Sequence, residues 1–465
     1  MDDESMNQEL RIDRCVDLNQ FVEIVRATKI QNFSSKASGI CLDTRSLKAG
    51  DLFFAIKSIR DGHEFVEQAL QKGALACVVS RDMGLKNQIL VSDTLHALWT
   101  YAGWVRHQWG KSVVALSGSN GKTSTKEMMA TLLGAKTHKT PGTWNNFLGV
   151  PLTLLMLQSE HDYAIVEMGI NHFGELLQLC KFTKPNIAVL TNVGPAHLME
   201  FQNLEGVAKA KGEIFTQLQP MDIAVLNIDD PLIQNMKSSI RAKVLTVSQK
   251  VNANIQLLSK KKTNAGYELD LMYGKTRITT ELPLKGEHNI SNYLCSLGVA
   301  SALGVAIEKI QSRSKAISRV EMRMQEILLS QNRKIVNDCY NANLGSFQAA
   351  LQTVQEEKPK RLLVLMGDIL EMGSQAVQVH RDLGKLMGTH KIDHLFVTGE
   401  YANESILGAL SNGLSNDQIT HIHKKEEASQ KILPYFKAGD ILLVKGSRGM
   451  RLEEVISMIE YDLKG

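Results

Sequence analysis

Gly118-Ser119-Asn120-Gly121-Lys122-Thr123-Ser124 follows the apolar run 113–116 and precedes Met128, Met129, Leu132 and Leu133 at helical spacing. A strand, a glycine-rich turn and a helix together suit phosphate binding. Backbone N–H groups converge on phosphate oxygens, and the helix N-terminus adds the positive end of its dipole. In such a loop Lys122 reaches the β- and γ-phosphates and the Thr123 hydroxyl ligates Mg²⁺. The spacing is the short G-x-x-G-K-[ST] form, because Leu116 stands where the longer form has glycine. The bland alternative is a structural strand-to-helix turn with a solvated lysine; the flanking elements favour nucleotide.

Three further residues suit metal or acid chemistry. Glu167 ends the buried run 163–166, and ligands gather outside the carboxyl ends of parallel strands, so it can face the Lys122 loop and hold Mg²⁺. His197 leaves the next apolar run in Thr191-Asn192-Val193-Gly194-Pro195-Ala196-His197 and is a candidate ligand. Lys211 lies within the apolar stripe of a helix expected over 204–218, among Val207, Ala208, Ile214 and Phe215. Burial pushes a lysine toward the neutral amine, which can add CO₂ and become a carbamate ligand. Snorkelling, or a salt bridge to an acid, is the other reading of Lys211. Glu167 alone can equally cap a helix, and most single histidines bind no metal.

These residues require a scaffold. Residues 1–108 read as a small mixed α/β domain, with strands at 39–43, 51–56, 76–80 and 88–92 and helices at 65–72 and 94–109. Residues 109–317 alternate strand and helix, with strands at 113–116, 163–166, 187–190 and 223–226, as a central parallel-sheet P-loop domain does. The rhythm breaks over 243–284, where 267–273 and 277–284 read as an antiparallel hairpin around Gly274-Lys275. Alternation resumes over 318–465 with strands at 333–337, 361–366, 394–398 and 441–444, a doubly wound Rossmann-like α/β domain. Asp338, Asp368, Lys445 and Arg448 follow strands of that domain and so share one sheet edge. There Lys445 and Arg448 suit a carboxylate, and Asp338 and Asn341 a nucleotide or amine.

Three domains agree with 465 residues at about 150 per domain. The charge of +4, 6% aromatics and a longest basic run of Lys260-Lys261-Lys262 argue against a nucleic-acid binder. No apolar stretch nears a spanning helix, the acidic start Met1-Asp2-Asp3-Glu4 is unlike a signal peptide, and six scattered cysteines read as reduced thiols. A cytoplasmic protein without membrane insertion is expected.

Taken together, the motifs resemble the Mur ligase superfamily, ATP-dependent amide-forming ligases of peptidoglycan assembly. The resemblance rests on Asp43-Thr44-Arg45, Gly50-Asp51-Leu52-Phe53-Phe54-Ala55, Asp61-Gly62-His63, the phosphate loop, and Asn145-Asn146 with Gly149-Val150-Pro151-Leu152-Thr153. It continues through Glu167-Met168-Gly169, the segment 191–197, Lys211-Gly212-Glu213 and Gly286-Glu287-His288-Asn289-Ile290-Ser291-Asn292. Within the superfamily, Asp338-Cys339-Tyr340-Asn341-Ala342-Asn343, the segment 366–373 and Lys445-Gly446-Ser447-Arg448 look like the branch that joins D-alanyl-D-alanine to a UDP-N-acetylmuramoyl-tripeptide. Thr44 replaces the usual Ser of its motif, and Leu344 the usual Pro.

The resemblance implies that the tripeptide carboxylate attacks the ATP γ-phosphate to give an acyl phosphate, which the dipeptide amine then attacks. It implies ATP held by Gly118, Ser119, Asn120, Gly121, Lys122, Thr123 and Ser124, with Asn292 on adenine and Arg323 and Asp338 closing the site. It implies two Mg²⁺ ions, held by Thr123 and by Glu167, His197 and carbamylated Lys211. Thr44, Arg45 and Ser46 would meet the UDP end, while Asn145, Asn146, Tyr340, Asn341, Asn343, Asp368, Lys445 and Arg448 would contact substrate. A monomer is expected. The rivals are the diamino-acid-adding ligase of the same superfamily, a P-loop ATPase acting on a protein, and a noncatalytic nucleotide-binding protein.

Overall fold

The computed structural model describes residues 10–28, 36–195 and 198–463. Three sheets organise them, with a two-stranded ribbon beside the first. The first sheet has five strands in the order Arg11–Ile12, Ile40–Cys41, Leu52–Phe54, Ala76–Val79 and Gln88–Leu90, parallel except for the opening pair. The helix Thr94–Trp109 starts at Asp93, whose side chain accepts from His96 N–H. It then locks this unit to the next: Trp99 Nε1 donates to the Phe147 carbonyl and Trp109 Nε1 to the Gln158 carbonyl, each at 2.9 Å. Arg106 spans the carbonyls of Thr183 and Lys184. One continuous apolar core, from Leu10 to Ala242, therefore runs through both units.

The central sheet has nine strands. Ser112–Ser117 lies between Tyr163–Glu167 and Ile187–Leu190, all three parallel, and Ile223–Asn227 continues the set. These runs are buried on both faces, as sheet strands covered by crossover helices must be. Lys243–Ser248, expected within the appended region, instead extends the parallel sheet beside Ile223–Asn227. Beyond it Ile255–Lys262, Tyr267–Tyr273 and Thr276–Leu282 add the antiparallel appendage, with its hairpin at Gly274-Lys275. The helix expected over 204–218 ends at Gly212, and Glu213–Phe215 continues as a 3₁₀ turn. The reason is local: the Glu213 carboxylate turns away to accept the N–H groups of Gly174 and Leu177 at the start of Glu175–Thr183.

The third sheet runs Gln325–Leu329, Arg333–Asp338, Ile441–Lys445, Leu362–Met366, His394–Val397 and Ile419–His421, with apolar clusters on both faces. The last parallel strand in sequence is thus inserted between the first two, which makes a topological switch point. Asp338 and Lys445 end the two strands that flank it.

Candidate active site

The phosphate loop is held open by its neighbours. A Cβ at Gly118 would lie 1.9 Å from Thr191 Oγ1, and one at Gly121 (φ +77°) would lie 2.4 Å from Asn292 Oδ1, so both positions need glycine. Asn120 is fixed on two sides: its N–H donates to Asn192 Oδ1 at 2.9 Å and its carbonyl accepts from Thr191 Oγ1 at 2.7 Å. Ser119 Oγ donates to the Gly194 carbonyl at 2.9 Å. The segment 191–194 is itself tied to Asp230, which accepts from Val193 N–H at 2.7 Å and from the first turn of Pro231–Met236. Ser124 lies in the first turn of Lys122–Leu133 and lines a small interdomain cavity with Asn289, Arg319 and Arg323. Lys122 Nζ donates back to the Gly118 carbonyl at 2.8 Å, and burial lowers its pKa, a shift that the Glu167 charge opposes.

Glu167 is fully buried at the end of its strand. Its Oε1 accepts from Thr123 Oγ1 at 3.2 Å and Asn145 Nδ2 at 2.8 Å. Its Oε2 accepts no hydrogen bond and faces the Lys126 ammonium at 3.5 Å. Lys211 is 2% exposed, which excludes snorkelling, and among the described residues no carboxylate pairs with it. Burial first, and the Lys122 charge second, bring its pKa well below the ordinary lysine value. His197 lies outside the described residues. Among the described residues, no three His, Cys, Asp or Glu side chains form a ready-made metal cluster.

The third domain reaches this loop directly. Arg323 Nη2 donates to Thr123 Oγ1 at 3.0 Å, and Arg323 stacks over the Tyr340 ring at 4.4 Å. Its buried Nε has no hydrogen-bond partner. Asn343 Nδ2 donates to Asn120 Oδ1 at 2.7 Å, and the hydroxyls of Tyr340 and Thr143 are hydrogen-bonded. Asp338 is turned inward: Oδ1 accepts from Met324 N–H at 3.1 Å and Oδ2 from Lys445 Nζ at 2.5 Å. Lys445 is 1% exposed and also donates to the Asn341 carbonyl, so its charge is spent on the switch point and not open to a ligand. The Asn341 side chain accepts from Ala342 N–H. Arg448 is exposed and paired with Glu453. Asp368 is buried beneath a second loop, where Oδ2 accepts from Glu400 N–H at 2.7 Å; burial raises its pKa despite that bond.

Several expected contacts take local roles. Asn146 Oδ1 accepts from Leu148 and Gly149 N–H, turning the chain into the helix Gly149–Leu155. Asn292 sits against Gly121 beneath the loop, while Asn289 lines the cavity. In the first unit Thr44 is buried on Gln68, Ser46 bonds the Asp43 carbonyl, and exposed Arg45 forks onto the Asp43 carboxylate. These three lie in a separate sheet unit from the phosphate loop. Lys126 and Thr143 escaped the sequence reading. The signal for Lys126 was available, since it stands three residues before Met129 on the buried side of its helix.

The comparisons agree with this geometry. The Mur ligase middle domain pattern matches residues 116–300, and the Mur ligase glutamate ligase domain pattern matches 322–448. The UDP-N-acetylmuramoyl-tripeptide–D-alanyl-D-alanine ligase of Escherichia coli (strain K12) is 36% identical over 96% of this chain and 98% of its own. The ligase of the same name from Bacillus subtilis (strain 168) is 33% identical over 91% of this chain and 94% of its own. A crystal structure of MurF from Acinetobacter baumannii superposes with a TM-score of 0.89 at 29% identity, covering 96% of this chain and 99% of that one. MurF ligase from Thermotoga maritima, solved in complex with ADP, gives 0.80 at 27% identity, covering 91% and 97%. This chain belongs to the Mur ligase family, in the branch of the UDP-N-acetylmuramoyl-tripeptide–D-alanyl-D-alanine ligases, and is an ATP-dependent ligase that forms carbon–nitrogen bonds.

Proposed function

We propose that this chain joins D-alanyl-D-alanine to a UDP-N-acetylmuramoyl-tripeptide at the expense of ATP, as a cytoplasmic monomer. The observation that carries the reading is the phosphate loop met by Arg323 and Asn343 of the third domain, within a full-length likeness to ligases of that name. Lys122, Thr123 and the loop N–H groups bind the phosphates. The unpartnered Arg323 Nε is a donor left for a phosphate oxygen, and Asn292 is assigned to the base.

Mg²⁺ fits the residues present, because Glu167 Oε2 is a buried acceptor without a hydrogen bond. Thr123 would hold one ion at the phosphates, and Glu167, His197 and, as a carbamate, Lys211 a second. Bound there, it supplies positive charge where two anions, the tripeptide carboxylate and the triphosphate, are brought together. The chain itself does the rest. Lys122 and Arg323 add positive charge around the transferring phosphoryl group, which is the main electrostatic demand of the reaction. Closure of the third domain onto 118–124 and 140–146 excludes water from the acyl phosphate. The dipeptide amine then attacks the acyl carbonyl and phosphate leaves. Thr44, Arg45 and Ser46 are assigned to the UDP end. Asn145, Asn146, Tyr340, Asn341, Asn343, Asp368 and Arg448 are assigned to the substrate-facing loops, with Asp338 and Lys445 holding the switch point between them.

An acceptor panel tests this. Offered the diaminopimelate and the lysine forms of the UDP-tripeptide in turn, the chain should join D-alanyl-D-alanine to at least one of them and free amino acids to neither. Joining of a free diamino acid to a UDP-dipeptide would replace this reading with the other ligase.

A further inference from the structure

Three lysines are among the largest fully buried side chains: Lys126, Lys211 and Lys445. Lys211 and Lys445 are accounted for above; the reaction leaves Lys126 without a task. It stands one turn beyond Lys122 on the buried face of Lys122–Leu133. Its ammonium donates to the Thr140 carbonyl at 2.9 Å and to the Gly142 carbonyl. The carboxylates of Glu167 and Glu127 lie 3.5 and 3.6 Å away. A charge taken wholly out of water persists only where such partners surround it, so this arrangement is built around the cation.

What Lys126 fastens is the segment 140–146. Thr140 is bonded to the Glu167 strand, its N–H to the Ile165 carbonyl and its Oγ1 from Glu167 N–H, each at 2.9 Å. Beyond Gly142 come Thr143, which meets Tyr340 of the third domain, and Asn145, which donates to Glu167 Oε1. The ammonium is therefore the node between the phosphate-loop helix, the Glu167 carboxylate and the segment that receives the third domain. At 3.5 Å it balances the charge of Glu167 without using Oε2 as a hydrogen-bond acceptor.

We propose that Lys126 is a positioning residue for the ligase reaction. Its buried charge holds 140–146 where Thr143 seats Tyr340 and Asn145 meets Glu167 Oε1, and it stands beside Glu167 with Oε2 left open. This rests on the ligase reading of the site. A neutral side chain of similar length would fill the space yet leave two carbonyls and a carboxylate without their cation.

The test compares the full parent chain with Lys126→Met and Lys126→Arg, by amide hydrogen exchange without substrates and by steady-state kinetics. In Lys126→Met, exchange over 140–146 should rise about 10-fold or more while 118–123 stays within about 3-fold. Its kcat should fall about 30-fold or more with KM for ATP within about 3-fold, the split expected when ground-state nucleotide binding survives. Lys126→Arg should bring exchange and kcat back to within about 5-fold of the parent, since it restores the charge. Parent-like loop exchange and kcat in Lys126→Met would overturn the proposal. So would a Lys126→Arg chain as impaired as Lys126→Met with exchange raised across the whole central sheet, which is general destabilisation. If Lys126→Met does not fold, Lys126→Arg decides: recovered loop and kcat support the proposal, and an intact loop with lost kcat overturns it. The exchange result is independent of which acceptor the parent uses, so failure of the ligase reading shows separately in the parent's acceptor panel.

Discussion

At the scale of single residues, the chemistry depends on charges placed where water cannot screen them. Lys211 is the sharpest case: a lysine with no described counter-ion has its pKa driven well down by burial and then by Lys122, which favours the neutral amine. That is the form that adds CO₂. Lys211→Ala should nearly abolish ligation, and a short-chain carboxylate in the assay should restore part of it by entering the space left. Wild-type-like kcat in Lys211→Ala, measured by phosphate release, would remove the carbamate. The apolar stripe made this burial legible in sequence, because Val207, Ala208, Ile214 and Phe215 surround the lysine at helical spacing. Lys445 was less legible. Its place after a strand suggested an exposed grip on a carboxylate, whereas the neighbouring strand end supplies Asp338 as its partner, 107 residues away. Linear spacing carries no information about such pairing.

At the scale of elements, short segments are aimed by side chains that cap and brace them. Asp230 serves two at once, the start of Pro231–Met236 and the 191–194 segment that clasps Asn120. Asp230→Ala should destabilise the chain by about 1–2 kcal/mol, the usual range for a lost N-cap, read as a lower urea midpoint. The same variant should weaken ADP binding, because Val193 N–H loses its anchor; an unchanged midpoint would show that water replaces the cap. The long parallel strands were readable as apolar runs because both of their faces are covered. Thr137–Lys139, Arg11–Ile12 and the helix Leu18–Val25 were not, since segments this short or this near an edge show too little periodicity. The 204–218 helix was overextended because its apolar spacing continues through a 3₁₀ turn that only the Glu213 cap reveals.

At the scale of the whole molecule, the third domain is held against the central one by a charge network beside the phosphate loop. Lys285 joins Glu326 and Glu357 at 3.0 and 2.9 Å, and Arg319 and Lys334 complete it. Burial raises the Glu326 carboxyl pKa, but hydrogen bonds from Arg319 and Lys285 and the charges of Arg319 and Lys334 outweigh it and hold the pKa at about 2, below the ordinary 4.5. A carboxyl depressed on folding stabilises fully above its unfolded pKa and loses that contribution as pH falls toward the folded one. The melting-temperature gap between the parent and Glu326→Gln should therefore be full at neutral pH and shrink from about 4.5 toward 2. A gap independent of pH would mean that Glu326 acts by shape alone. Three domains were legible from length and alternation, and the motifs on each from their order. Their mutual contacts, such as Tyr340 on Thr143 across 197 residues, were not. The most direct test of the whole is phosphate release from ATP by the full chain with UDP-N-acetylmuramoyl-tripeptide alone, with D-alanyl-D-alanine alone, with both and with neither. Release should require both and match the pentapeptide formed; equal release with neither would contradict the ligase reading of the site.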